Sequence, residues 1–92
     1  MTMHIHLHGI DSLKQKRGIV KSLIGRLQSR FNFSVSEVEA QDSKQLAVIG
    51  LAVVGNDTAF IHQQMDTVVN FAQGDGRFYL GQVQREVFPH GG

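Results

Sequence analysis

The sequence predicts one α+β domain whose elements follow in the order strand, helix, strand, strand, helix, strand. Two stretches carry apolar residues at helical spacing, and four shorter runs either alternate or are continuously apolar. The length of 92 residues is too short for two ordinary domains and sufficient for one hydrophobic core. Hydrophobic residues make up 41% and charged residues 18%, the profile of a folded chain. We therefore treat residues 1–92 as a single domain.

The first half of the chain contains two strands around a long helix. Residues 3–7 alternate apolar residues with histidine, which is the period of a half-buried strand. Asp11 or Ser12 can cap the helix that follows, which runs to about Arg30. Residues 33–39 alternate again and give the second strand. The apolar stripe of the helix comprises Leu13, Val20, Ile24, Leu27 and Phe31.

The second half repeats this arrangement. Residues 46–54 are almost continuously apolar, which indicates a central strand covered on both faces. Gly55, Asn56 and Asp57 end this strand and are expected to cap a second helix, and Gly74-Asp75-Gly76 is expected to stop that helix, because glycine adopts the left-handed conformation easily. Residues 78–88 form the last predicted strand, which Pro89 ends. The apolar residues of the second helix are Ile61, Met65, Val68, Val69 and Ala72.

This order is that of the ferredoxin-like fold, βαββαβ, with a four-stranded antiparallel sheet and two helices on one face. The first and third strands are then central. Helices cover only one side of such a sheet, whereas the apolar character of residues 46–54 indicates burial on both sides. We therefore expect the open sheet face to be covered by something else, and a homodimer is the simplest arrangement.

Several classes of function lack their sequence requirements. The chain has no cysteine, and hence no disulfide, no thiolate metal site and no cysteine nucleophile. It contains no phosphate-binding loop, no dinucleotide fingerprint and no zinc-protease motif. No apolar run approaches the roughly 18 residues of a membrane span, and the start lacks the pattern of a secretory signal. We expect a cytoplasmic protein that is not an enzyme, with no cofactor, no membrane partner and no small-molecule substrate.

The positive charge is concentrated in the first helix. The net charge is only +1, yet six of the nine Lys and Arg residues lie between positions 14 and 30, where there is no Asp or Glu. Helical spacing places Lys14, Arg17 and Lys21 in one row, with small residues separating it from a second pair of arginines. Such a surface can bind a phosphodiester backbone without base specificity, although a solvated helix face or a protein-docking ridge has the same pattern. The candidate RNA-binding residues are Lys14, Lys16, Arg17, Lys21, Arg26 and Arg30.

Three alternating histidines lie on the first strand. His4, His6 and His8 all project to the side away from the helices, and neighbouring imidazoles about 6.5 Å apart can share one metal ion. His4 and His6 are therefore candidate metal ligands, but a site would also need a carboxylate such as Glu37 or Glu39. Packing or a subunit contact on the sheet face is the favoured interpretation.

The motifs HIHLHG at 4–9, SLKQKR at 12–17 and VVGND at 53–57, with VKSL at 20–23 and RFN at 30–32, extend over most of the chain. In these segments the sequence resembles the YlxP-like family of bacterial proteins of unknown function. The resemblance implies a ferredoxin-like fold, a bacterial cytoplasmic setting, and genes often placed among those for translation factors and ribosome-binding factor A. It implies no catalytic residues. The chain departs from the family pattern in its alternating histidines and in Gly25, where an acidic residue often stands.

These observations lead to one principal hypothesis and two alternatives. The principal hypothesis is a non-catalytic accessory factor whose basic first helix lies against ribosomal RNA or a ribosomal subunit. The first alternative is a homodimeric scaffold that binds protein partners without nucleic acid. The second is a metal-binding protein that uses the strand histidines.

Overall fold

The computed structural model describes residues 1–88 and has the predicted order of elements. The four strands form one antiparallel sheet in the order β2-β3-β1-β4, with β3 and β1 in the centre. The α+β ferredoxin-like fold class is therefore confirmed. The elements are β1 (Thr2–Leu7), α1 (Leu13–Arg30), β2 (Ser34–Glu39), β3 (Leu46–Ala52), α2 (Thr58–Gln73) and β4 (Phe78–Gln84).

Side-chain caps determine where both helices begin. The Ser12 hydroxyl accepts a hydrogen bond from the Gln15 backbone N–H at 3.1 Å. The Asp57 carboxylate accepts one from the Phe60 backbone N–H at 3.2 Å. Each cap satisfies a helix N–H group that has no partner within the helix.

Three predicted features differ from the structure. Gly74 ends α2 with φ −80° and ψ −5°, which is right-handed helical geometry, so the expected left-handed conformation was wrong. The last strand ends at Gln84, four residues earlier than predicted, and Pro89 lies outside the described residues. The third strand likewise stops at Ala52 rather than at residue 54.

The core lies on one face of the sheet. Buried residues of both helices and the inward residues of the strands form one cluster, so both helices cover the same face. The strands contribute Met3, Ile5, Leu7, Phe33, Val35, Ala47, Ile49, Leu51 and Phe78 (with Phe33 just before β2), α1 contributes Val20, Leu23 and Leu27, and α2 contributes Ile61, Met65, Val68 and Ala72.

The opposite sheet face carries no helix in the described part of the chain. Cross-strand pairing places His4 beside Val48 and His6 beside Leu46 on this open face. Val48 is only 3% exposed although no helix covers this face within residues 1–88. The third strand is thus apolar toward both faces, as its sequence indicates.

Candidate nucleic-acid interface on the first helix

The outward face of α1 carries a row of cations. Lys14, Arg17 and Lys21 are all exposed, and their spacing of three and four residues keeps them on one side of the helix over about 10 Å. None of the four salt bridges among residues 1–88 involves them. These three residues, which we call the outward row, present positive charge that no acidic side chain of the described chain neutralises.

Small residues adjoin the outward row. Gly18 and Gly25 are exposed, and a Cβ atom added at either position would meet nothing within 4 Å. Glycine in a helix interior destabilises the helix by about 0.5–1 kcal/mol relative to alanine. No contact within the described protein requires these glycines. They leave the helix backbone accessible to a partner that approaches closely.

Arg26 and Arg30 lie further along α1 and have partners of their own. The Arg26 guanidinium is 3.7 Å from an Asp75 carboxylate oxygen, and its side chain is 57% exposed. The Arg30 guanidinium lies 4.8 Å from the centre of the Phe71 ring, a cation–π contact. Both arginines are exposed, so they extend the basic surface with charge that is partly compensated.

Asp75 anchors this end of α1 to the start of β4. Arg77 donates two side-chain hydrogen bonds to the Asp75 carboxylate, at 2.6 and 3.0 Å, and a third from its backbone at 2.9 Å. These bonds, which outweigh the opposing effect of burial, hold the pKa of Asp75 below its usual value. Asp75 is therefore a stable anion to which Arg26 adds a longer contact.

Lys16 was wrongly included among the RNA-binding residues. At about 100° per residue it lies roughly 200° around the helix from Lys14, so it faces the sheet. Its side chain is fully buried. The ammonium lies 3.0 Å from a Glu37 carboxylate oxygen and donates a hydrogen bond to the Ala40 carbonyl. In this position Lys16 cannot contact a phosphate.

The buried pair of Lys16 and Glu37 is the main feature that sequence reasoning missed. The alternation of residues 33–39 already placed Glu37 on the apolar side of β2, where an anion requires a cation. A β-bulge follows between Glu37 and Glu39. Beyond it, Ala40 adopts φ +63° and directs its carbonyl toward Lys16. The pair thus links α1 to the irregular end of β2.

Within residues 1–88, the histidine strand has no third ligand of the kind that a metal site would require. Glu37 lies on the helix-facing side of the sheet, and β3 separates β2 from the histidines. No group of three His, Cys, Asp or Glu side chains among residues 1–88 could hold a metal ion. His6 and His8 instead stack on the Tyr79 ring, each with ring centres 4.8 Å apart. The proposed metal pair of His4 and His6 therefore gains no support from the geometry.

Within the described residues, neither helix is long and apolar enough to cross a membrane. The fold defines the class as a ferredoxin-like α+β protein with an open four-stranded sheet. The sequence matches the family described as "Protein of unknown function (DUF503)" over residues 1–85, and the chain belongs to that family. It is also similar to the "Uncharacterized protein YlxP" of Bacillus subtilis (strain 168), with 32% identity over 65 residues, which cover 71% of each protein.

Proposed function

We propose that this protein is a non-catalytic cytoplasmic accessory factor that binds the phosphate backbone of ribosomal RNA through the outward face of α1. The observation that supports this most directly is the outward row of Lys14, Arg17 and Lys21, which is exposed and has no acidic partner among residues 1–88. Neutralising phosphates and releasing their counterions supplies most of the affinity in sequence-independent binding.

The local charge matters here more than the total charge. A formal net charge of +1 gives little long-range attraction to RNA, whereas α1 contains no acidic residue to weaken its own cations. Gly18 and Gly25 leave room for a phosphate chain to approach the helix backbone. This arrangement favours contact with a nucleic-acid backbone over an acidic protein surface, which does not need such close access.

Arg26 and Arg30 extend the surface toward the end of α1. From Lys14 to Arg30 the helix rises about 24 Å, but at about 100° per residue Arg26 and Arg30 lie roughly 120° and 160° around the helix from Lys14, so they flank the small residues on the side opposite the outward row. The Arg26 side chain is more than half exposed, and its guanidinium lies 3.7 Å from the Asp75 carboxylate, which is a long contact. Arg26 can therefore turn toward a phosphate while Arg77 remains paired with Asp75. The expected contacts therefore comprise three strong and two weaker positions.

The test compares two variants of equal net charge. The first replaces Lys14, Arg17 and Lys21 by Gln. The second introduces Gln63→Glu, Asn70→Glu and Gln73→Glu on the exposed side of α2. Each lowers the formal net charge by three units, but only the first removes the outward row. Co-sedimentation with purified ribosomal subunits, and binding to a structured ribosomal RNA fragment across a salt series, provide the measurements.

We expect the α1 variant to bind RNA at least tenfold more weakly near 0.1 M salt, with the log–log salt slope reduced by about one unit for each lost contact. In the α2 variant, the affinity for RNA and the salt slope should both stay close to those of the unaltered protein. Equal loss in the two variants would mean that only net charge matters, and absence of binding by the unaltered protein would remove the proposal.

A protein-binding scaffold is the second candidate, and a different surface favours it. Val54 is 97% exposed, Phe60 55% and Phe88 80%. Val54 and Phe88 line a cleft between the loop after β3 and the segment after β4, where Ile61 and Met65 of α2 also contribute. Exposed apolar side chains that share a cleft, as those of Val54 and Phe88 do, are typical of protein contacts. A protein that fails to bind RNA but retains partners through this cleft would satisfy this alternative.

A further inference from the structure

The open face of the sheet is almost free of charge. Its central strands present His4, His6, Leu46, Val48 and Gly50, and neutral residues flank them. Among the strand residues that pairing places on this face, only Glu39, at the end of β2, is formally charged at neutral pH. A surface that meets a copy of itself must not repel itself. The open face meets that condition, whereas the outward row of α1 does not.

Two glycines let neighbouring side chains lie flat over the strands of this face. A Cβ atom at Gly81 would lie 2.5 Å from the His6 ring nitrogen, and one at Gly50 would lie 2.8 Å from a Val38 methyl carbon. The His6 and Val38 side chains therefore lie across neighbouring strands instead of standing away from the sheet. Flat, uncharged sheet faces pack against one another about 10 Å apart.

The face also has a projecting ring at one corner and a depression at the opposite corner. Tyr79, on the edge strand β4, is 51% exposed and pairs with His6. The depression lies toward the other edge strand and the other end of the central strands, where Gly50 pairs with Thr2 and Ser36. Its lining includes Thr2, Ser34, Ser36, Val38, Gly50 and Ala52.

We propose that a second copy of this chain covers the open face, with Tyr79 of each copy lying over the depression beside Ser36 of the other, against the Val38 side chain that covers Gly50. A two-fold axis that runs diagonally across the sheet, between the two corners, relates the two copies. The strands of the two sheets then cross at a steep angle, as in orthogonal sheet packing. This arrangement inserts each projecting ring into the partner's depression. It also covers the stacked imidazoles of His6 and His8.

The area of the open face determines how strongly the two copies should associate. Four strands of six or seven residues span a plane of about 19 by 20 Å, and the accessible area of such a surface exceeds the roughly 400 Å² of the plane. Stable interfaces bury about 800 Å² per partner. The plane of the open face is about half that size, so the area fits a weak, transient dimer that dissociates on dilution.

Cysteine cross-linking tests this geometry without RNA, so its failure is separate from that of the proposed function. The chain has no cysteine, so Ser36→Cys and His8→Cys introduce the only thiols and leave the Tyr79 ring in place. Within one chain these positions are two strand spacings and six residues apart, about 22 Å, whereas across the proposed interface His8, which stacks on Tyr79, lies near the partner's Ser36. A short bis-maleimide matched to the sheet spacing should link the double variant into covalent dimers, at least tenfold more than the control.

The control variant carries Gln28→Cys and Gln63→Cys, which are exposed on the two helices and lie away from the interface. The proposal is overturned if the control forms as much covalent dimer as the sheet variant, or if neither does at about 0.1 mM protein. Sedimentation of cysteine-free protein provides the second measurement. Tyr79→Glu should raise the dissociation constant at least tenfold, and a mass that is monomeric at every concentration would also overturn the proposal.

Discussion

Lys14 and Lys16 are two positions apart in one helix and have opposite environments. Lys14 is exposed with no acidic partner in the described chain, whereas Lys16 is fully buried against Glu37 and the Ala40 carbonyl. The same side chain therefore contributes to a surface charge at one position and to the interior at the other. Counting cations in a helix overestimates the charge available to a partner, because the helical angle decides which side each one faces.

The largest expected effect tests this difference directly. Replacing Lys16 by Ala leaves Glu37 buried without its cation, which should lower the free energy of unfolding by about 3 kcal/mol or more. Lys14→Ala is the matched control and should change it by no more than about 0.5 kcal/mol. Urea denaturation followed by circular dichroism measures both.

A double variant separates charge from packing at the same site. Lys16→Met combined with Glu37→Leu removes both charges and fills a similar volume, so most of the lost stability should return. If Lys16→Ala and Lys14→Ala lowered the free energy of unfolding equally, the buried Lys16 would contribute no more to stability than the exposed Lys14.

The glycines of α1 give a smaller effect of opposite sign. Gly18→Ala with Gly25→Ala should raise the free energy of unfolding by about 1–2 kcal/mol in total, since both sites are open and lie within a helix. Gly50→Ala should lower it, because Val38 already occupies the position of the new methyl group. Thermal denaturation of the two variants distinguishes the open helix face from the packed sheet face. If Gly18→Ala with Gly25→Ala lowered the free energy of unfolding, the two glycines would be required by the fold rather than only leaving the helix backbone accessible.

The smallest expected effect concerns Asp75, which lies between Arg26 of α1 and Arg77. Asp75→Asn should lower the free energy of unfolding by about 1 kcal/mol at pH 7. Hydrogen bonds from Arg77 depress the pKa of the folded-state carboxylate below its ordinary value of 3.8. The contribution is therefore complete above about pH 4 and disappears as the pH falls through the depressed pKa.

Unfolding curves from pH 7 to pH 2.5 check this behaviour. The difference in the free energy of unfolding between the unaltered protein and Asp75→Asn should become smaller in the acid range. Protonation of the other carboxylates affects both proteins alike. If this difference in free energy stayed constant down to the lowest pH, Asp75 would stabilise the fold through packing rather than through its charge.

Much of the fold could be predicted because local signals agreed with one another. The Ser12 cap, the alternation of residues 33–39 and the apolar run beginning at Leu46 each correspond to an element of the structure. The predicted central position of the third strand was confirmed as well. The conformation of Gly74 was wrong because a glycine after a helix permits the left-handed conformation without requiring it.

The candidate site was harder to predict than the fold. Helical spacing gave the outward row, but the destination of Lys16 depended on Glu37, which lies on another element. The contact of Arg30 with Phe71 and that of Arg26 with Asp75 likewise join residues distant in sequence. Periodicity defines which side of its own helix a residue occupies, and tertiary packing alone defines what it meets there.

The position of β1 also affects how the chain folds during its synthesis. The first strand pairs with both β3 and β4, so one edge of the sheet's centre stays unpaired until the last strand has left the ribosome. A nascent chain can close the hairpin of β2 and β3 early, yet it must retain β1 in an incomplete sheet through most of translation. Such long-range pairing slows folding, and until β4 pairs with it the exposed edge of β1 can pair with other chains.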